Sequence, residues 1–238
     1  MLRRACVFAR DTPPERVQLR TSPTCVWAHA VLVMAAFGWS VTTPVAHAEP
    51  ATAAQAGLVD VTSVIPDAIV DLRYATADNF VGKPLYPADA HCLVHESLAP
   101  GLVKAADVFR SRGAKLVFWD CYRPHAVQAE LFDAVPDSNW VARPGTSARS
   151  HESGRSVDVT LVDGHYGWAI DMGTGFDDFS PKAKAFGTDG VTADQQANRK
   201  WLRDGMAAGG LSVYSGEWWH FDGPGANVDQ PILDVPLS

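Results

Sequence analysis

The strongest constraint on this chain is a small set of polar residues that any fold must carry to one place. His151 and Asp158 stand seven positions apart in Ser150-His151-Glu152-Ser153-Gly154-Arg155-Ser156-Val157-Asp158, and His220 follows 62 residues later in Glu217-Trp218-Trp219-His220. Two imidazole nitrogens and a carboxylate oxygen form a ligand set that suits zinc and leaves a fourth position open. Open coordination marks a catalytic ion, because water or substrate can enter it. A carboxylate that is not a ligand can then handle the proton of the attacking water, and Glu217 stands three residues before His220 for that task. A regular strand would set positions 217 and 220 on opposite faces, so the pairing requires the strand to bulge or end between them. Each residue alone has a plainer explanation: a single His as a surface or core residue, and an Asp among Gly and Ser as a turn former. Their conjunction is what points to a metal site.

The N-terminus reads as an export signal. Arg3, Arg4, Arg10, Arg16 and Arg20 precede an apolar run from Cys25 to Val41, and Ala46-His47-Ala48 offers the small residues that a signal peptidase reads. Residues 1–48 are therefore expected to be a cleaved signal peptide, 49–57 an Ala-rich linker and 58–238 one domain, with a periplasmic or extracellular, cell-wall-associated location. The alternative is an uncleaved anchor, since the apolar run of 17 residues approaches spanning length. Cleavage would leave 15 basic and 25 acidic residues, taking the net charge from -7 to -10. A surface of that sign disfavours polyphosphates and anionic lipids, so neither nucleic acid nor stable membrane insertion after cleavage is expected. Oligomeric state is not legible. Cys6 and Cys25 fall in the segment to be removed, leaving Cys92 and Cys121 as an isolated pair. In an exported protein such a pair is most simply a disulfide, closing about 30 residues and worth ~3 kcal/mol. Two buried free thiols are the alternative.

With 238 residues, 47% of them apolar, 19 Gly and 16 Pro, the chain suits one globular domain with many turns. A short strand is expected within 61–70, and helical spacing of Leu102, Val103, Ala106 and Phe109 predicts a helix over 100–112. Residues 115–120 read as a buried strand, and Pro124 opens a second helix, which leaves Arg123 at a strand-to-helix junction. Val157, Val159 and Leu161 alternate with Asp158 and Thr160, as in a strand with one apolar face and Asp158 turned towards a cleft. A helix over 194–208 precedes a hairpin joined at Ser215-Gly216. The fold class is α+β, a single domain with a mainly antiparallel sheet flanked by helices. His91, His95, His125 and His165 lack partner spacing and read as surface or supporting groups.

Four ordered motifs run through that domain: Asp71-Leu72-Arg73-Tyr74-Ala75-Thr76 with Asp78-Asn79-Phe80; Trp119-Asp120-Cys121-Tyr122-Arg123-Pro124; Ser150-His151 with Gly154 and Asp158; and Glu217-Trp218-Trp219-His220. In these the chain resembles the D-alanyl-D-alanine dipeptidases, zinc peptidases that include the vancomycin-resistance dipeptidase, within a wider group containing D-Ala-D-Ala carboxypeptidases. The resemblance implies that His151, Asp158 and His220 hold one Zn2+, and that Glu217 takes a proton from the attacking water and passes it to the leaving amine. It also implies that Arg123 stabilises the oxyanion, against the plainer role of an ion pair with Asp120. Tyr74 and Asp177 would meet the free ammonium of the substrate and restrict hydrolysis to dipeptides; a solvated acidic loop with Asp171 and Asp178 is the alternative for Asp177. Ser150 and Arg149 complete the candidate substrate contacts. The vancomycin-type members carry Ser where this chain has Arg149, a side chain able to bind a carboxylate bidentately. The implied substrate is D-Ala-D-Ala or a related D-containing dipeptide. The competing functions are a peptidoglycan-stem D,D-carboxypeptidase or endopeptidase, and a non-catalytic cell-wall-binding module with a structural metal.

Overall fold

Among the described residues the architecture is built on two apolar strands. The computed structural model describes residues 51–238, so the signal-peptide expectation lies outside the described residues. Strands β4 (Ala114–Asp120) and β5 (Ser156–Asp163) pair antiparallel at the centre of a five-stranded sheet. Their cores, Leu116, Phe118, Val157, Val159 and Leu161, are fully buried. On one side β4 pairs in parallel with β2 (Ile69–Val70); on the other, β5 is followed by β7 (His220–Asp222) and β6 (Ser212–Val213), both antiparallel. The mainly antiparallel α+β expectation holds. A separate two-stranded sheet, β1 (Leu58–Asp60) with β3 (Leu93–His95), was not anticipated.

Helices cover this sheet. In α2 (Ala99–Arg110), Leu102, Ala105, Ala106 and Phe109 lie on one buried stripe, and burial of Phe109 alone contributes about 1.5–3 kcal/mol. Helix α4 (Ala193–Ala208) starts with a capping box, Thr192 and Gln195 each satisfying the other's backbone N–H, and packs on α2. The packing is close because position 205 is Gly: a Cβ there would strike the Phe109 ring. Helix α3 (His125–Ala134) begins immediately after Pro124.

The short strand expected within 61–70 is β2, at the end of that range; residues 61–64 form a helical turn, α1 (Val61–Val64), because the Asp60 carboxylate accepts the Thr62 N–H and caps it. Two local expectations require correction. Strand β5 turns Asp158 towards the cleft as read, but its polar positions are not open to solvent: Asp158 is 2% and Thr160 5% exposed, a depth that hydrophobic alternation cannot reveal. The C-terminal hairpin has shorter strands than read, with Tyr214–Trp219 outside both of them.

The loop between β5 and α4 is held by one face of α4. Arg199, only 1% exposed, donates from Nε to the Met172 carbonyl at 2.6 Å and from Nη1 to the carbonyls of Lys182 and Lys184 at 2.8 and 3.2 Å. Asn198 donates to the Asp171 carbonyl at 2.8 Å, and Arg203 to that of Ala185 at 2.8 Å. This loop carries Asp177, so α4 sets the position of one cleft wall.

Candidate metal centre and catalytic cleft

The end of β4 and the start of β5 meet at the site. Register slips between Phe118 and Asp120, so two residues of β4 oppose one of β5, and Asp120 falls opposite Asp158. A bulge of this kind re-aims the side chains beyond it. Ser150–Ser153 forms one 3-10 turn stopped by Gly154 at φ 66, which brings His151 in beside Asp158. Strand β7 pairs Asp158 with His220 directly. Glu217 lies before β7 begins, so strand alternation does not separate it from His220. The requirement that the strand end between them is met.

Three donor atoms converge. His151 Nε2 is 3.0 Å from His220 Nδ1 and 3.2 Å from Asp158 Oδ1, and His220 Nδ1 is 3.0 Å from Asp158 Oδ1. Each ring's other nitrogen is committed elsewhere: His151 Nδ1 donates to the Cys121 carbonyl at 2.8 Å, and His220 Nε2 to Asp222 Oδ1 at 3.1 Å. Those bonds leave a lone pair on His151 Nε2 and another on His220 Nδ1, aimed at each other and at a carboxylate oxygen. Three acceptors at such separations need a cation between them. A proton can serve: burial opposes it, but Asp158 and Asp222 raise His220 to about 10. A divalent ion competes for the same lone pairs, and the outer bonds to a carbonyl and a carboxylate are the kind that orient metal-bound histidines. The donor set therefore fits a metal ion.

Glu217 and Arg123 face the same cavity, of about 650 Å³. Glu217 Oε2 stays 3.9 Å from His220 Nδ1, outside the converging trio. Burial pushes its carboxyl up to about 7, with Asp158 adding to the rise and the cationic neighbours opposing it. Arg123 does pair with Asp120, Nε at 2.9 Å and Nη2 at 2.6 Å, while Nη1 donates to Gln128 Oε1 at 2.7 Å. The same guanidinium lies 3.9 Å from Asp158 and 5.2 Å over the Tyr74 ring. The ion pair thus aims Arg123 into the cleft instead of withdrawing it.

The substrate-contact candidates divide. Asp177 is not in a solvated acidic loop: its Oδ2 accepts the Tyr74 hydroxyl at 2.9 Å, and burial followed by the charge of Asp158 raises it well above the ordinary carboxylate range. Ser150, at φ 48, puts Oγ 3.3 Å from His220 Nε2. Arg149 is exposed at the rim of the same cavity, its Nε 2.6 Å from Asp229. Cys92 and Cys121 are joined as a disulfide with Cα atoms 5.3 Å apart, and the carbonyl that orients His151 belongs to Cys121.

Sequence reasoning named Asp120 only as a partner for Arg123 and missed Asp222 altogether. Asp120 is fully buried and accepts from Tyr86 Oη at 2.7 Å and the Cys121 N–H at 2.9 Å as well as from Arg123. Asp222 orients His220, and its position two residues on, hence on the same strand face, was the available signal.

The sequence pattern of the D-ala-D-ala dipeptidase family matches residues 54–238. A D-alanyl-D-alanine dipeptidase of Escherichia coli is 39% identical over 76% of this chain and 91% of its own length. One from Enterococcus faecium is 32% identical over 63% of this chain and 83% of its own. Among solved structures, that of the LdcB LD-carboxypeptidase aligns with a TM-score of 0.37 at 22% identity, over 57% of this chain and 61% of that one.

Proposed function

Because the chain belongs to the D-ala-D-ala dipeptidase family, we propose that it is a zinc-dependent peptidase that hydrolyses D-Ala-D-Ala or a closely related D-containing dipeptide. One observation carries this reading: two histidine lone pairs and a carboxylate oxygen meet within 3.2 Å of one another, beside a Glu that is not part of the trio. His151, Asp158 and His220 hold the ion. When bound, it supplies Lewis acidity, polarising a carbonyl and making a water easier to deprotonate.

The chain's own residues do the rest. Glu217 takes the proton of the attacking water and delivers it to the departing amine; burial, which raises its carboxyl, makes it a stronger base than an exposed glutamate. Arg123, held on two sides by Asp120 and Gln128, offers its charge to the oxygen that becomes negative on attack. Asp177 and Tyr74 close the opposite end. A buried carboxyl that is costly to ionise gains most from an incoming cation, and the free ammonium of a dipeptide is one. An N-blocked or longer peptide presents an amide there and loses that gain, which favours a dipeptidase over an enzyme acting on peptidoglycan stems. A purely structural metal site would have no use for Glu217.

The direct test is release of D-alanine from a set of peptides. D-Ala-D-Ala is expected to be cleaved, while L-Ala-L-Ala and N-acetyl-D-Ala-D-Ala resist; equal cleavage of an N-blocked tripeptide would transfer the reading to a stem peptidase. Location follows from the N-terminal pattern of basic and apolar residues. The exported protein is expected to begin at Glu49, and N-terminal sequencing that finds upstream residues would contradict cleavage there.

A further inference from the structure

The cleft has room that two alanine residues do not fill. Its volume of about 650 Å³ falls within the roughly 300–1,000 Å³ typical of pockets for drug-sized ligands. Part of its lining, with Asp177, is aromatic. Phe80 shares with Asp177 both this cavity and a smaller neighbouring one. It lies 4.9 Å from Phe179, which in turn stacks on Trp140 at 5.5 Å and 28°. All three rings are half-buried, neither sealed in the core nor lying free on the surface, and Leu131 and Val141 line the cavity with them. No step of the hydrolysis uses these rings.

We propose that the wall of Phe80, Phe179 and Trp140 is a subsite for the side chain of the substrate's first residue, and that this enzyme prefers dipeptides whose N-terminal D-residue is large and apolar. The inference rests on Asp177 as the ammonium anchor. With the ammonium there and the scissile carbonyl at Arg123, the α-carbon between them lies in the cavity that the three rings also line. An apolar side chain on that carbon leaves water for aromatic surface, whereas a methyl group leaves most of the wall wet. Aromatic faces accept branched and ring side chains with little ordering cost of their own, because the rings already pack on one another. Each methylene accommodated by such a pocket discriminates by ~10-fold or more.

The test compares kcat/KM for D-Leu-D-Ala, D-Phe-D-Ala and D-Ala-D-Ala in the full mature enzyme. The larger substrates are expected to be favoured by at least about tenfold. Phe179→Ala and Trp140→Ala should lower the ratio of D-Leu-D-Ala to D-Ala-D-Ala by about the same factor, with Phe179→Leu as the milder replacement should the alanine variant not fold. A wild-type preference for D-Ala-D-Ala, or a ratio unchanged in every wall variant, overturns the proposal. Asp177→Asn separates this inference from the reading beneath it. If Asp177 anchors the ammonium, KM rises for all three substrates alike. If KM does not move, the anchor reading fails, and a side-chain preference that still disappears in Phe179→Ala stands by itself.

Discussion

Replacing Glu217 by Gln is expected to lower kcat by about 10³-fold, within the ~10²–10⁴ that a positioned proton-transfer group contributes, while bound zinc stays at one ion per chain. The substitution keeps the shape of the side chain and removes only its ability to carry a proton. Its Oε2 lies 3.9 Å from His220 Nδ1, whereas the three converging donors lie within 3.2 Å of one another, so metal retention should not depend on it. Asp158→Asn is the contrasting variant, since Asp158 supplies a donor atom to the trio and its loss should reduce zinc content itself. Steady-state kinetics with metal analysis on both variants checks the assignment. Turnover within tenfold of wild type in Glu217→Gln, or zinc lost together with activity, would remove Glu217 from the proton-transfer role.

Arg123→Ala should cost about 10²–10³ in kcat, ~3–4 kcal/mol of transition-state stabilisation, with a much smaller change in KM. The reason is geometric: the guanidinium is fixed before substrate arrives, so its charge need not be reoriented as the oxyanion develops. Removing it also strands Asp120, which is buried, and loss of one partner from a buried pair costs ~3–5 kcal/mol of stability. Arg123→Lys separates the two effects. A lysine can still neutralise Asp120 but cannot donate at once to Asp120 and Gln128 and also face the cleft, so stability should largely recover while kcat does not. Thermal unfolding measured beside kcat reads both quantities; recovery of kcat in the lysine variant would mean that Arg123 serves the fold alone.

The residues of the centre were legible in the sequence because their chemistry is unusual in combination. His151, Asp158, His220 and Glu217 stand out as a set that joins two imidazoles with two carboxylates. Helices α2 and α4 were legible for a different reason, their apolar stripes at helical spacing. What escaped were features set by partners far along the chain. Asp120 was legible only as a partner for Arg123, not as a buried acceptor for Tyr86 and the Cys121 N–H, and Asp177 and Tyr74 were legible as joint substrate contacts but not as bonded to each other across 103 residues. The burial of both faces of β5 was likewise invisible, since alternation turns Asp158 towards a cleft without showing how deep Asp158 and Thr160 lie. Arg149 was legible as a departure, yet its capture by Asp229 at the rim was not.

The grip of α4 on the cleft wall has an evolutionary corollary. Arg199, Asn198 and Arg203 hold residues 171–185 by main-chain oxygens, a group that every amino acid supplies. Side chains along the wall can therefore be exchanged without dismantling its support, and a lineage could retune which dipeptide it consumes by point substitutions there while the scaffold and the proton-handling centre stay unaltered.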